Sequence, residues 1–281
     1  MFDKLRRRFF PRTAVCLHIF YPDVALEILG KLEALRAPFT LLVTHSAPLG
    51  HDVTARLDAL RRMRPVEIRK VANEGSDIGP FLDLLPQLMR FDIVCKLHTK
   101  RDHPTYGSIW RDLLLEPLIG SDAIFRKVVR RFGRRRRIAM MGPADFYMSA
   151  QYLMGDNSRS VNDLLSQFAR ARIGTDWGFF AGTMFWVRPE IFQPLADIKI
   201  EFRSTTGERV DDGAMAHAVE RIFGLMPILH DKKIAILSTA DGGLKIDSLH
   251  GTGKPKRHSI GPFLAGMNKM RGIVTKPMAA E

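Results

Sequence analysis

The stretch AVCLHIFYPDVALEILGKLEALR, residues 14–36, decides the fold. Its first seven residues, AVCLHIF, are a short apolar run of β-favouring side chains, and Pro22 with Asp23 interrupts it. The VALEILGKLEALR that follows returns its apolar positions at helical spacing, so the whole reads as strand, turn, helix. The pattern recurs in FTLLVTHS (39–46) before HDVTARLDALRRM, in VEIRKVAN (66–73) before DIGPFLDLLPQLM, and in FDIVCKLHT (91–99). Strands alternating with helices predict a parallel sheet with right-handed crossovers. The expected class is α/β, with a Rossmann-type, mostly parallel central sheet flanked by helices.

Outward from this half, about 14–105, the rest of the domain is read as 106–240. Residues 109–137 read as amphipathic helix and RIAMMGP (137–143) as a further strand; 144–176 combine a loop with a helix around Val161–Ala171. WGFFAGTMFWVRP (177–189) is strongly apolar and aromatic, with a helix expected from Pro189, and DDGAMAHAVERIF (211–223) reads as a helix with an acidic start. Past 240 the Gly, Lys, Ser and Pro content predicts a loop-like basic tail, 241–281, with a short helix at 260–273. A basic segment, 1–13, precedes the domain.

Composition narrows the class. The chain has 281 residues, 46% apolar, with a net charge of +13. That balance excludes a disordered chain, and the lack of long apolar runs excludes a helical membrane bundle. Cys16 and Cys95 each sit inside an apolar run without a CxxC neighbour, against a disulfide scaffold or a Cys-rich zinc site. Reduced thiols, with no secretory pattern in MFDKLRRRFFPR, give an expectation of the cytoplasm.

The charge is local. Residues 1–12 and 126–137 supply +4 and +8 of the net charge, and six more basic residues without an acid lie between Lys254 and Lys276. Such patches suit nucleic acid, anionic lipid or substrate phosphates. Nucleic acid ranks last, because RKVVRRFGRRRR offers only Phe132 for base stacking. KLRRRFFPR places two Phe beside basic residues, a composition suited to lying on the inner face of the cytoplasmic membrane; a solvated, frayed terminus explains it equally well.

In open parallel sheets ligands bind beyond the carboxyl ends of the strands, so the residues just after each strand are candidates. These are 18–23, with Tyr21; 44–46, with Thr44; 73–79; and 96–102. In NEGSDIGPF, after Asn73, Gly75 and Gly79 permit close backbone approach, and Asp77 opens a helix, where capping and ligand contact are compatible. KLHTKRD sets Lys96, His98, Lys100 and Arg101 around Thr99, and burying several cations is costly unless an anion neutralises them. A diphosphate meets that need, and strand alternation sends Lys96, His98 and Lys100 to one face. The plain alternative is a solvated strand end. Asp211 and Asp212 open the last helix, with His217 and Glu220 following; neighbouring charge could raise one carboxylate toward general-base duty, and capping explains the same pair. No HExxH, DxD or Walker A pattern is present.

The ordered blocks LHIFYPD (17–23), VANEGSDIGPFL (71–82), FDIVCKLHTKR (91–101), WRDLLLEPL (110–118), GTMFWVRPEIF (182–192) and DDGAMAHAVERIFG (211–224) resemble the rhamnan synthesis protein F family of bacterial polysaccharide glycosyltransferases, over roughly residues 14–230. The resemblance implies transfer of rhamnose or a related sugar from a dTDP-, UDP- or GDP-sugar to a glycan or lipid-linked glycan, such as a growing O-antigen. The order of elements also looks like a GT-A-type enzyme. It implies a donor near Tyr21, Thr44, Asn73, Gly75 and Asp77, with the diphosphate at Lys96, His98, Thr99, Lys100 and Arg101. The acceptor is expected against Trp177, Gly182, Trp186, Arg188 and His217, since aromatic faces match sugar C–H faces; Phe185 is expected in the core. Asp212 is the first choice of base, with Asp211 beside it, and inversion is the expected outcome.

One departure matters. Where GT-A enzymes commonly hold Mg²⁺ or Mn²⁺ on a DxD motif, this chain has His98, Thr99 and Lys100. The expectation is therefore no cofactor, with cations replacing the metal at the leaving group. The rival from another class is a non-catalytic glycan-binding or assembly scaffold on a degenerate fold of this type.

Overall fold

The computed structural model describes residues 11–101, 108–168, 177–202, 215–240 and 243–249. The four strands read first are β1 (Thr13–Ile19), β2 (Thr40–His45), β3 (Val66–Lys70) and β4 (Ile93–His98). The chain continues through β5 (Ile138–Pro143), β6 (Tyr147–Ser149), β7 (Gly178–Phe180), β8 (Phe185–Val187), β9 (Lys233–Ala240) and β10 (Gly243–Leu249). Eight of these form one sheet in the order β10-β9-β5-β8-β4-β1-β2-β3, and β6 pairs with β7 in a separate ribbon. Within the large sheet β8 is antiparallel to both β4 and β5, and β10 to β9; the other pairs are parallel.

The sheet has a core on each face, as a central parallel sheet requires. Alternate residues of β1 divide between them: Val15, Leu17 and Ile19 face one, Ala14 and Cys16 the other. The first core is closed by helices Pro22–Glu33, His51–Arg61, Ile109–Ile119 and Asp122–Arg134. The second is closed by helices Ile78–Asp83, Ser158–Ser166 and Met215–Leu229. Each fully buried Leu or Phe in these layers contributes about 1.5–3 kcal/mol. Helix Met215–Leu229 reaches β7 so closely that a Cβ on Gly224 would lie 2.1 Å from the Gly178 carbonyl oxygen. Cys16 and Cys95 are buried and free, and burial pushes the Cys16 thiol up to about 12, so it packs as a hydrophobe.

Two readings need correction. The chain past 240 is expected from its composition to be loop-like, yet β10 extends the sheet to Leu249 by antiparallel pairing with β9, a strand without a clear sequence signal. Leu244 and Ile246, alternate residues of β10, are buried against the first core, which is why the sheet continues. The helix expected from Pro189 is a 3-10 turn, Pro189–Phe192, followed by the single α-turn Gln193–Ala196. Residues 250–281, with the expected helix at 260–273, and residues 1–10 lie outside the described residues. Among the described residues no helix is long and apolar enough to cross a membrane.

Candidate functional site

Strands β2 and β3 extend the sheet on one side of β1, whereas β4 lies on its other side. The carboxyl ends of β1 and β4, the usual ligand position in open α/β sheets, form the candidate crevice. His18 and His98 are register partners at this point, and Thr44 stands beside His18 on β2. Because β8 runs antiparallel, its leading residues Gly182 and Thr183 arrive at the same end of the sheet, with Phe185 opposite Lys96.

The centre of the cluster is Asp77. It sits before helix Ile78–Asp83 yet makes no side-chain cap, so the capping role expected from its position is corrected. Its Oδ2 instead accepts hydrogen bonds from Lys96 Nζ and from Thr183 Oγ1. Lys96 is 1% exposed and also donates to the Thr183 carbonyl oxygen at 3.0 Å, while the rings of Phe81 and Phe185 lie 5.5 and 5.9 Å from its ammonium. Burial alone would raise the Asp77 carboxyl; the neighbouring His98 and Lys96, with the hydrogen bonds from Lys96 and Thr183, overcome this and hold it well below the ordinary carboxylate range. The expected neutralisation of Lys96 by a ligand diphosphate is thus corrected: its anion is Asp77, within the chain.

His98 donates from Nε2 to the Gly182 carbonyl oxygen at 2.9 Å. A carbonyl only accepts, so Nε2 carries the proton and the neutral ring leaves Nδ1 as an acceptor. That Nδ1 lies 3.8 Å from Asp77 Oδ1. Burial is the largest influence on His98 and lowers it to about 4 against the opposing pull of Asp77, and His18 is lowered to about 4 for the same reason. Both are neutral at pH 7. His18 Nδ1 is bonded to Thr44 Oγ1 at 3.0 Å.

Around the crevice, Thr99 Oγ1 accepts the backbone N–H groups of Phe20 and Tyr21, both at 2.9 Å, tying the end of β4 to the turn after β1. Lys100 lies past the strand end, so it does not share the face of Lys96 and His98; its ammonium sits 4.6 Å from the centre of the Trp110 ring. Arg101 is exposed, 4.4 Å from the Tyr21 ring centre and 3.6 Å from Asp23. Asn73 is half-buried at the start of the loop that carries Gly75. Gly75 adopts φ +68°, and a Cβ there would lie 2.6 Å from the Phe202 ring, so the loop needs glycine for two reasons.

The expected acceptor residues divide. Trp186 is fully buried, meets Phe125 edge to face, and donates to the Leu118 carbonyl oxygen at 3.3 Å. Trp177 is buried and donates to the Arg221 carbonyl oxygen at 2.8 Å. Arg188 donates to the Ile138 and Phe132 carbonyl oxygens at the opposite end of β8 from Thr183. Trp177 and Trp186 are corrected to structural residues, because neither aromatic face is left open to a glycan, and the half-buried Arg188 is tied down at the far end of β8. Phe185 is core, as expected. Gly182 is at the crevice with φ +84°, and its N–H donates to Glu220 Oε1 at 2.8 Å. His217 stands one turn before Arg221, which donates to its carbonyl oxygen. Asp211 and Asp212 lie outside the described residues.

Two participants were missed. Thr183 has φ +48° and binds Asp77 from 106 residues away, and nothing in the sequence signals that pairing. Glu220 was noted only as a neighbour of His217. Burial raises its carboxyl above the ordinary value, against the opposing pull of Arg221 and the Gly182 N–H. The Glu220–Arg221 pair inside an otherwise apolar helix was the available signal.

The fold defines a Rossmann-like α/β protein with a cluster of polar side chains at the carboxyl ends of its central strands. The chain belongs to the rhamnan synthesis protein F family, whose model matches residues 3–232 and whose name ties it to polysaccharide synthesis. It is also 31% identical over 221 residues to the uncharacterized protein WxcX of Xanthomonas campestris pv. campestris strain B100, and equally to the WxcX of a second strain of that pathovar. The match covers 76% of this chain and 31% of that protein, so the chain spans about a third of the length of these relatives.

Proposed function

We propose that the chain is a glycosyltransferase that moves rhamnose or a related sugar from a nucleotide-sugar donor to a bacterial surface polysaccharide, on a GT-A-like fold. Family membership supports the class of process. The observation that carries the site is the convergence of Asp77, His98, Thr183 and Glu220 on the crevice at the ends of β1 and β4.

The chemistry of that crevice sorts the donor. With Lys96 held by Asp77 and His98 neutral, the inner part offers acceptors, Asp77 Oδ1 and His98 Nδ1. Two acceptors repel a phosphate and match hydroxyl hydrogens, so a ribose or sugar diol belongs there. The diphosphate belongs to the rim, where Lys100 and Arg101 remain near solvent and can meet the negative charge that grows as the sugar–phosphate bond breaks. The acceptor hydroxyl attacks the anomeric carbon, its proton passes to Asp212, and the nucleoside diphosphate leaves from the opposite face, inverting the centre.

The residues present do not suit a divalent ion at the end of β4. Among the described residues at the end of β4, Asp77 is already bonded to the Lys96 ammonium, whose charge would repel a second cation. The proposed transfer therefore runs without a metal.

Titration calorimetry with UDP-, dTDP- and GDP-sugars, followed by product analysis on an oligosaccharide acceptor, tests this reading. One nucleotide sugar should bind, Asp212→Asn should abolish turnover, Lys100→Ala should raise the donor KM, and EDTA should leave the rate unchanged. No binding by any nucleotide sugar would leave a glycan-binding scaffold as the better description.

A further inference from the structure

The parallel strands place two ends of the domain in opposition. The crevice lies at their carboxyl ends, and the chain enters β1, β4, β5 and β9 from the amino end. Helix Asp122–Arg134 runs into β5 at that amino end, and the Arg137 carbonyl oxygen accepts from Lys233 as β9 begins. The helix directs Phe125, Val128 and Phe132 into the core, so its basic residues are left on the outside.

Of the acids near this end, Glu190 stands close to Arg188, and four others are already matched. Asp122 pairs with Arg126, Asp231 with Arg137, Asp92 with Arg12 and Glu67 with Arg90. Arg130, Arg131, Arg134, Arg135 and Arg136 have no acidic partner among the described residues, and all but the half-buried Arg131 are exposed. Pro11, which joins the basic segment 1–10 to β1, is at this same end, three strand positions from β5, or roughly 14 Å. The point where segment 1–10 joins the described chain and the arginines of helix Asp122–Arg134 thus lie at one end of the sheet.

We propose that this amino end docks on an anionic lipid bilayer. Charge complementarity supplies the attraction. Phe132, the one aromatic of the segment, is fully buried beneath the Arg188 guanidinium, so it offers no stacking platform for nucleic-acid bases. The segment 1–10 instead sets Phe9 and Phe10 beside its basic residues, a pairing that fits a headgroup boundary. The geometry has a consequence: the crevice faces away from the bilayer, about one strand length, or roughly 20 Å, above the docked end.

Vesicle flotation of the full chain decides the matter. The chain should float with vesicles containing phosphatidylglycerol and not with pure phosphatidylcholine, and the binding should weaken with salt. The variant R130Q/R131Q/R134Q/R135Q/R136Q should keep its circular dichroism and lose about tenfold or more in partitioning. A control of equal charge, K31Q/R56Q/K70Q/K199Q/K245Q, should bind as the parent does. Undiminished flotation of the arginine variant, equal binding to neutral vesicles, absence of flotation by the parent, or preference of the parent for duplex DNA would each overturn the proposal.

Discussion

The ammonium of Lys96 and the carboxylate of Asp77 form an ion pair in which the lysine is 1% and the aspartate 14% exposed. This pair holds the loop after β3 against the centre of β4, and Thr183 joins it from the start of β8. Three segments of the crevice are therefore locked by one carboxylate oxygen.

Removing one partner strands the other. Asp77→Ala is expected to lose about 3–5 kcal/mol, because a buried ammonium is left without its anion. The double variant Asp77→Leu with Lys96→Met should be less destabilised than Asp77→Ala alone. Urea denaturation of the three chains measures this, and a double variant as unstable as Asp77→Ala would refute the pairing as the source of the loss.

The two crevice histidines make the fold acid-sensitive. Both are lowered from 6.5 to about 4, so between these values the unfolded chain binds more protons than the folded one. Their contribution to stability is complete above about pH 6.5 and is lost as pH falls toward 4, on the order of 3 kcal/mol for each at the extreme. Asp77, whose carboxyl is also depressed, adds its loss only at lower pH. The urea midpoint should drop between pH 7.5 and pH 5, and His98→Gln should flatten that slope.

Glu220 positions the Gly182 turn through its acceptance of the Gly182 N–H. Glu220→Gln keeps an oxygen for that bond but leaves the buried Arg221 guanidinium, 3.4 Å away, without its anion, so a modest fall in melting temperature at pH 7.5 is expected. Glu220→Ala leaves the amide unpaired and should lose about 1–3 kcal/mol. The two variants therefore separate the hydrogen bond from the charge, and equal destabilisation of both would contradict the positioning role.

Trp186 belongs to the core between β4, β5 and helix Ile109–Ile119. Trp186→Ala should lose about 3–5 kcal/mol. Trp186→Phe, folded at low temperature, should leave the acceptor KM unchanged; a raised KM would return this residue to the glycan site.

Much of the architecture was legible because strand and helix periods are local properties of the chain. The runs AVCLHIF, TLLVTH and IVCKLH carried β1, β2 and β4, and the crevice at their ends followed from the general behaviour of parallel sheets. The family was legible in its ordered blocks, and Asp77, His98 and Gly182 stand out in the sequence as candidates at the strand ends. The roles of Trp186 and Arg188 were misread, since an aromatic or guanidinium side chain looks the same in sequence whether it faces a sugar or a core.

By itself, then, the sequence determined an alternating strand–helix chain with a polar fringe at its strand ends and basic charge confined to a few segments, because each of these depends on neighbours within a few turns of chain. Only the tertiary structure decided what those groups meet. Lys96 finds Asp77 across 19 residues and Thr183 across 87, and Arg134–Arg137 share a sheet end with Pro11. Pairings of that kind depend on strand order, and strand order is set by the packing of the whole chain.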